Sequence, residues 1–146
     1  MGKTIESIAT KRGHTIVAKI DSGDFLPQDI SSADVAIEFT QPDMAYDNIK
    51  KCFSANVPVV VGTTAWYERY DELAKLAISE DQCLFTATNF SIGVNILFHI
   101  NKQLGKIMDN FPEYDVEMDE THHLQKKDHP SGTAVTLAEG IIDSLD

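Results

Sequence analysis

The chain has 146 residues, the length of one ordinary domain, which excludes a large multidomain assembly within this sequence. Hydrophobic residues make up 42% and charged residues 24%, a composition typical of globular proteins. Twelve basic against 23 acidic residues give a net charge of −11. Because phosphate-rich partners need clustered Lys and Arg, we expect neither a nucleic-acid nor a membrane-surface partner.

The chain has no apolar run near the ~20 residues of a membrane helix, and its first residues show no signal-peptide pattern. We therefore expect a cytoplasmic protein. The two cysteines, Cys52 and Cys83, lack the short spacings of a zinc site or a redox pair. We expect both thiols to be packed in the interior.

Up to residue 86, short β-branched runs alternate with amphipathic stretches, a pattern typical of βαβ units around a parallel sheet. The predicted strands are Thr15–Ile20, Asp34–Phe39, Val57–Val61 and Gln82–Thr86. The predicted helices are Lys3–Arg12, Pro42–Ala55 and Trp66–Ser79. The strand at Val57–Val61 is apolar on both sides, which favours a sheet covered by helices on both faces. The sequence thus predicts an α/β fold.

The alternation of predicted strands and helices ends near residue 90. A long helix is predicted over Val94–Asp109, and a last helix begins at Thr133. Between them, acidic residues alternate with Val and Met over Tyr114–Glu120. This pattern predicts a strand with one solvent-exposed face, typical of an antiparallel sheet. We therefore predict two domains, over residues 1–89 and 90–146.

The first residues are unusual for this architecture, which normally opens with a strand and a glycine-rich turn. Asp21 lies 19 residues after Gly2. In dinucleotide-binding folds an acid about 20 residues past the glycine turn holds the adenosine ribose. Gly2 could therefore be the last glycine of such a turn, although a glycine and an aspartate at this distance also occur by chance.

The most distinctive segment is Glu120–Ala134, which combines three imidazoles, two ammonium groups and a Ser-Gly-Thr turn before a helix. The free N–H groups at a helix start bind carboxylate or phosphate, and a histidine can donate a proton near neutral pH. One alternative is a helix cap preceded by a solvated charged loop. Another is a metal site, whose ligands would be His122, His123, Asp128 and His129.

This segment resembles the E-x-H-H-x-x-K-x-D-x-P-S-G-T-A signature of the 4-hydroxy-tetrahydrodipicolinate reductase family, formerly called dihydrodipicolinate reductases. Ile37–Thr40, Val61–Thr64 and Ala87–Asn95 agree with the family in order and spacing. The resemblance covers essentially all of the chain. It implies a nicotinamide-dependent enzyme of diaminopimelate and lysine biosynthesis, with a Rossmann-like parallel sheet followed by an α+β substrate domain containing an open mixed sheet.

The resemblance also implies roles for residues of this segment. His122 is similar to the catalytic acid, and Lys126 to a second catalytic group that assists protonation. His123 is similar to a substrate-binding histidine, and Gly132 and Thr133 to the turn that binds a substrate carboxylate. These groups suit a small cyclic dicarboxylate. No metal is implied.

In the first half, the resemblance implies NADH or NADPH as the cofactor. The cofactor-binding positions that it implies are Met1, Asp21, Phe39, Gly62, Thr63, Thr64, Ala87, Thr88, Asn89 and Phe90. An acid at Asp21 favours NADH because it repels the 2′-phosphate of NADPH, but Lys19 and Ser22 are close and the family uses both cofactors. Taken alone, Gly-Thr-Thr at residues 62–64 also fits a simple strand-to-helix turn with a capping threonine.

The implied reaction transfers a hydride from the nicotinamide to an unsaturated carbon of the substrate ring and gives tetrahydrodipicolinate. Two rival functions are another two-domain NAD(P)-dependent dehydrogenase and a catalytically inactive relative that binds a metabolite. The His-His-x-x-Lys loop joined to Pro-Ser-Gly-Thr argues against the first. The incomplete glycine turn is the best argument for the second.

The chain departs from the family pattern at both ends. Of the family's opening strand and glycine turn, only Met1-Gly2 is present. In a 3-2-1-4 strand order the first strand would lie between Thr15–Ile20 and Val57–Val61. The family also continues beyond the position of Asp146 with the sheet that pairs subunits into a tetramer. We therefore expect a fragment of a homo-oligomeric reductase that is inactive alone.

Overall fold

A computed structural model describes residues 1–21, 24–122, 124 and 129–145. The chain divides into two compact units, Met1–Thr86 and Ala87–Asp146. Within the described ranges, no helix combines the length and the apolar character needed to cross a membrane.

The first unit alternates helices and strands, as the periodicity predicts. Its helices are α1 (Gly2–Lys11), α2 (Pro42–Ser54) and α3 (Tyr70–Ser79), and its strands are β1 (Ala36–Glu38), β2 (Val59–Val61) and β3 (Leu84–Thr86). Short 3₁₀ turns lie at Pro27–Asp29 and Tyr67–Arg69. Helix α2 begins with Pro42 in its first turn, where the missing N–H leaves no hydrogen bond unmade.

The three strands form one parallel sheet in the order β1-β2-β3. Val59 pairs with Ala36 on one side and with Leu84 on the other. The carboxyl ends of the strands therefore lie at the same edge, where open α/β sheets bind their ligands. The α/β, Rossmann-like fold class is confirmed.

The core of this unit lies on one face of the sheet. Helix α2 packs on β1 and β2 and against α3, and one buried cluster includes Ile49, Val59, Val61 and Leu73. On the other face, the register aligns Ile37, Val60 and Phe85. Ile37 and Phe85 remain 50% and 57% exposed. The prediction of two covered faces is therefore wrong for the described residues.

The predicted strand at Thr15–Ile20 is also wrong, because this segment is irregular and largely exposed. Its backbone joins no ladder, and the sheet of the described residues consists of β1, β2 and β3. Consecutive strands joined by one crossover helix commonly lie side by side. The 3-2-1-4 order expected from the sequence, which separates Asp34–Phe39 from Val57–Val61, is accordingly not observed. The cysteine prediction is half right: Cys52 is buried, but Cys83 is exposed.

The second unit contains α4 (Ile92–Met108) and α5 (Gly132–Ile142), within two residues of the predicted starts. The two helices pack closely, and the Asn101 side-chain amide donates to the Leu137 carbonyl at 2.8 Å. A Cβ built on Gly105 would lie 3.0 Å from the Ser144 Cβ. The residues just after α5 therefore pack closely on α4 at a position that has no side chain.

The predicted strand at Tyr114–Glu120 is wrong. All seven residues are exposed and none belongs to a ladder. An alternating segment becomes a strand only when a neighbouring backbone accepts and donates its hydrogen bonds. Among the described residues of this unit, the two helices offer no such edge.

Candidate active site

Phe39 and Gly62 follow neighbouring parallel strands and touch each other at the sheet edge. A Cβ built on Gly62 would lie 2.1 Å from Cε1 and Cζ of the Phe39 ring. The Gly62 N–H donates to the Glu38 carbonyl at 2.8 Å. A side chain at position 62 would therefore have to displace the end of the Phe39 ring.

Thr63 joins the same two loops by hydrogen bonds. Its hydroxyl accepts from the backbone N–H of Thr40 at 2.8 Å. Its carbonyl accepts from the Trp66 indole N–H, also at 2.8 Å. Thr63 and Trp66 are both buried. The predicted turn at residues 62–64 is thus held from both sides, and the half-buried Thr64 follows directly.

Glu38 is a buried acid beneath these loops that the sequence interpretation missed. One carboxylate oxygen, Oε1, accepts from the Thr40 hydroxyl and from the Asn48 side-chain amide. The other, Oε2, is buried and has no hydrogen-bond partner among the described residues. The strand period of two could have predicted its burial, because it places Glu38 on the same inward face as Ala36.

Two predicted cofactor contacts lie outside the loops that follow β1 and β2. Met1 is the N-cap of α1 and is 73% exposed. Asp21 is exposed at the end of the irregular segment that follows α1. Nearby, the Lys19 ammonium forms an ion pair with the Glu6 carboxylate.

In the second unit, two predicted cofactor residues contact α5. The Asn89 side-chain amide donates to the Thr133 hydroxyl at 3.3 Å, and the Thr88 and Thr136 hydroxyls lie 2.9 Å apart. Thr133 comes from the predicted substrate-binding turn, so residues predicted for cofactor and for substrate lie together here. Ala87 is half-buried and Phe90 is 41% exposed.

The Glu120 carboxylate connects His122 to the start of the same helix, α5. The His122 Nδ1 is 3.0 Å from the Glu120 Oε1. The Glu120 carboxylate also accepts the backbone N–H of Ser131, at 3.0 and 3.3 Å. Ser131 is buried and caps α5, since its Oγ accepts from the Ala134 N–H at 3.1 Å. The structure therefore brings His122 to the N-terminus that carries Gly132.

His123 and Lys126 lie outside the described residues, as does Asp128. In the described part of the chain, no group of three His, Cys, Asp or Glu side chains could hold a metal ion. Two of the four ligands of the metal alternative, His123 and Asp128, thus lie outside the described residues. Glu120 belongs to the motif, but its contact with Ser131 joins residues 11 positions apart and could not be read from spacing.

The arrangement has two chemical capacities. The loops after β1 and β2 form a hydrogen-bonded, partly aromatic edge of a parallel sheet, where nucleotides bind in this architecture. The first N–H groups of α5 have no acceptor within the helix and favour an anion. These features define a Rossmann-like α/β protein of the nucleotide-binding class.

Comparison with known families narrows this class. The family model described as dihydrodipicolinate reductase, N-terminus, matches residues 1–90. The model for the C-terminus of the same enzyme matches residues 93–146. The chain belongs to the dihydrodipicolinate reductase family. Its N-terminal part corresponds to the family's NAD(P)-binding domain.

Curated relatives carry a consistent name. The chain is 44% identical to the 4-hydroxy-tetrahydrodipicolinate reductase of Christiangramia forsetii over 145 residues, which is 98% of this chain and 60% of the relative. It is 40% identical to the enzymes of the same name from Rickettsia rickettsii and Rickettsia conorii, over 97% of this chain and 59% of each relative. The chain thus spans about three fifths of the length of these relatives.

Proposed function

We propose that the protein expressed from the complete gene reduces 4-hydroxy-tetrahydrodipicolinate to tetrahydrodipicolinate with NADH or NADPH. In this reaction the substrate's hydroxyl group leaves as water, and the ring gains one hydride from the cofactor and one proton. The observation that carries this proposal is the position of His122, held by Glu120 at the N-terminus of α5. This arrangement combines a proton donor with an anion site, as reduction of a dicarboxylate imine requires. The name of the relatives supports the same activity.

For the cofactor, the residues at the sheet edge fit a nicotinamide dinucleotide. Phe39 and the Gly62–Thr64 turn offer a half-buried aromatic ring and a backbone fixed by the Thr63 hydrogen bonds. We assign these residues to cofactor binding. When bound, the cofactor supplies the hydride. The protein holds the binding edge in place and limits its motion.

The remaining cofactor contacts are proposed from the family resemblance. Asp21 would hold the adenosine ribose, and Met1 would belong to the diphosphate turn. Residues 87–90, which are Ala87, Thr88, Asn89 and Phe90, would line the cofactor cleft. Of these, Asn89 supports the assignment best, because its contact with Thr133 links it to the substrate turn.

For the substrate, we assign one carboxylate to the N–H groups of Gly132 and Thr133. The Thr133 hydroxyl accepts a hydrogen bond from Asn89, so its own proton remains to be donated to the carboxylate. His122 would donate the proton to the ring. His123 and Lys126 are assigned to substrate charge and to protonation by the resemblance alone.

We further propose that the protein acts in the cytoplasm as a homo-oligomer, a tetramer as in the family. Neither nucleic acid nor a membrane surface is proposed as a partner. The net charge of −11, without clustered Lys and Arg, supports this part of the proposal.

The test is a steady-state assay of the protein expressed from its complete reading frame. NADH or NADPH oxidation is followed with 4-hydroxy-tetrahydrodipicolinate, and the product is identified by mass spectrometry. We expect turnover with both cofactors and none without the dicarboxylate. Turnover on other oxo or imino acids alone would indicate a different dehydrogenase. Binding of a pyridine dicarboxylate without any cofactor oxidation would indicate an inactive relative.

A further inference from the structure

We propose that Glu120 is a positioning residue that fixes the ring orientation and tautomer of His122 and ties the ring to the start of α5. The part of this inference that concerns catalysis rests on the proposed function. The part that concerns the tautomer does not, because it follows from the contacts of the Glu120 carboxylate with His122 and Ser131 within the second unit.

The first argument is the contact with the imidazole. The Glu120 Oε1 lies 3.0 Å from the His122 Nδ1, and the side chains are 23% and 38% exposed. An ionised carboxylate only accepts hydrogen bonds, so Nδ1 must carry a proton. The ring's other nitrogen, Nε2, faces away from the carboxylate. In the imidazolium, Nε2 therefore carries the proton that can be transferred.

The second argument is the contact with α5. The same carboxylate accepts the backbone N–H of Ser131 at 3.0 Å. Ser131 is the buried N-cap of α5, and a negative charge near a helix N-terminus is favourable. One carboxylate thus connects the imidazole to the turn that contains Gly132 and Thr133. This sets the spacing between proton donor and anion site.

Replacing the carboxylate with an amide distinguishes this role from simple packing. In Glu120→Gln, the amide oxygen can still accept the Ser131 N–H. The NH₂ group then faces His122, and a hydrogen bond requires an unprotonated Nδ1. The substitution keeps size and the helix contact but reverses the tautomer of the ring. In Glu120→Ala, both contacts disappear.

The experiment uses the protein expressed from its complete reading frame. The ring nitrogens of His122 are observed by ¹⁵N-edited NMR and are assigned by loss of the signal in His122→Gln. We expect the Nδ1–H tautomer in the wild type and the Nε2–H tautomer in Glu120→Gln. Glu117→Gln, an exposed acid of the same segment, is the matched control and should retain the wild-type tautomer.

Kinetics provide the second readout. In Glu120→Gln we expect kcat to fall by about 10-fold or more, with a much smaller change in KM. In Glu120→Ala, KM should rise as well, because Ser131 at the start of α5 loses its hydrogen bond to the Glu120 carboxylate. A wild-type tautomer together with wild-type kcat in Glu120→Gln would overturn the inference. Absence of reductase activity in the wild type would instead contradict the proposed function, and the NMR result would still decide the positioning role.

Discussion

The backbone N–H of Thr40 donates a hydrogen bond to the hydroxyl of Thr63 at 2.8 Å and joins the loops that follow β1 and β2. These loops belong to two strands that lie side by side in the parallel sheet. The edge assigned to the cofactor is therefore held by side-chain bonds across the loops as well as by the strands below them.

Removal of the Thr63 hydroxyl should loosen this edge. Thr63→Val keeps the size of the side chain but leaves the Thr40 N–H without its acceptor, at an expected cost of about 1–2 kcal/mol in the free energy of unfolding. Urea denaturation measures this cost. Hydrogen exchange should show faster exchange of the Thr40 amide in Thr63→Val but not in Thr63→Ser. Unchanged protection of that amide in Thr63→Val would contradict the assigned bond.

A Cβ at position 62 should be poorly tolerated. In Gly62→Ala the new atom would meet the Phe39 ring at 2.1 Å, and such overpacking typically costs about 1–3 kcal/mol. Thermal and urea unfolding measure the loss. Gly93→Ala in α4 is the matched control, since its Cβ would meet only the Ser91 Oγ, at 3.8 Å. In a Phe39→Ala background, the penalty of Gly62→Ala should shrink, and an undiminished penalty would show that the ring is not its cause.

The stability of the protein should depend on Cys52 in alkaline solution. Burial raises the pKa of the Cys52 thiol from 9.0 to about 11, and the nearby Glu38 charge adds to the effect. Between these values the unfolded chain releases the thiol proton while the native protein keeps it. The free energy of unfolding therefore falls as the pH rises, by roughly 1 kcal/mol per pH unit from this group.

The measurement compares the wild type with Cys52→Ala by urea unfolding from pH 8 to about 11, a range that spans the two pKa values. Other groups titrate in both proteins, so only the difference between them reports on the thiol. We expect the stability advantage of the wild type to shrink above pH 9.0. A constant difference would contradict the raised pKa.

Tyr46 should control the titration of Glu72. The Tyr46 hydroxyl donates to the Glu72 carboxylate, and this bond, together with Arg69, lowers the pKa of that carboxyl below 4.5. In Tyr46→Phe, the Glu72 pKa should move upward toward its ordinary value. The side-chain carboxyl is followed by ¹³C NMR during an acid titration. Tyr70→Phe should leave the Glu72 midpoint unchanged, and an unchanged midpoint in Tyr46→Phe would refute the assigned cause.

His122 and Thr133 should affect different kinetic parameters of the complete protein. His122→Ala removes the proposed proton donor, so kcat should fall by about 10²-fold or more, with a small change in KM. Thr133→Val removes the hydroxyl that faces the carboxylate site and should mainly raise KM. Steady-state kinetics with saturating cofactor measure both parameters. Equal effects on kcat and KM in both variants would contradict these roles.

Local sequence signals determined the helices and the three paired strands. Ser91 and Ser131 each precede a segment with apolar periodicity, and each caps a helix by accepting a hydrogen bond from the backbone N–H three residues later. The apolar run at Val57–Val61 predicted a buried strand, and β2 occupies Val59–Val61. These signals act over a few residues, so they can be read without knowing the rest of the fold.

Such local patterns do not predict which strands pair. Thr15–Ile20 and Tyr114–Glu120 have strand-like patterns, but neither joins a ladder in the described structure. A strand exists only where a second backbone supplies its hydrogen bonds, and the pattern of one segment carries no information about that partner.

The sequence by itself also determined the family and the composition of the candidate site, because its motifs are long and chemically unusual. Only the tertiary structure decided which motif residues touch. It placed the Phe39 ring on Gly62 and Glu120 between His122 and Ser131. It also buried Glu38 below the loops. Such contacts depend on how strands and helices pack in space, and residue spacing along the chain does not encode that packing.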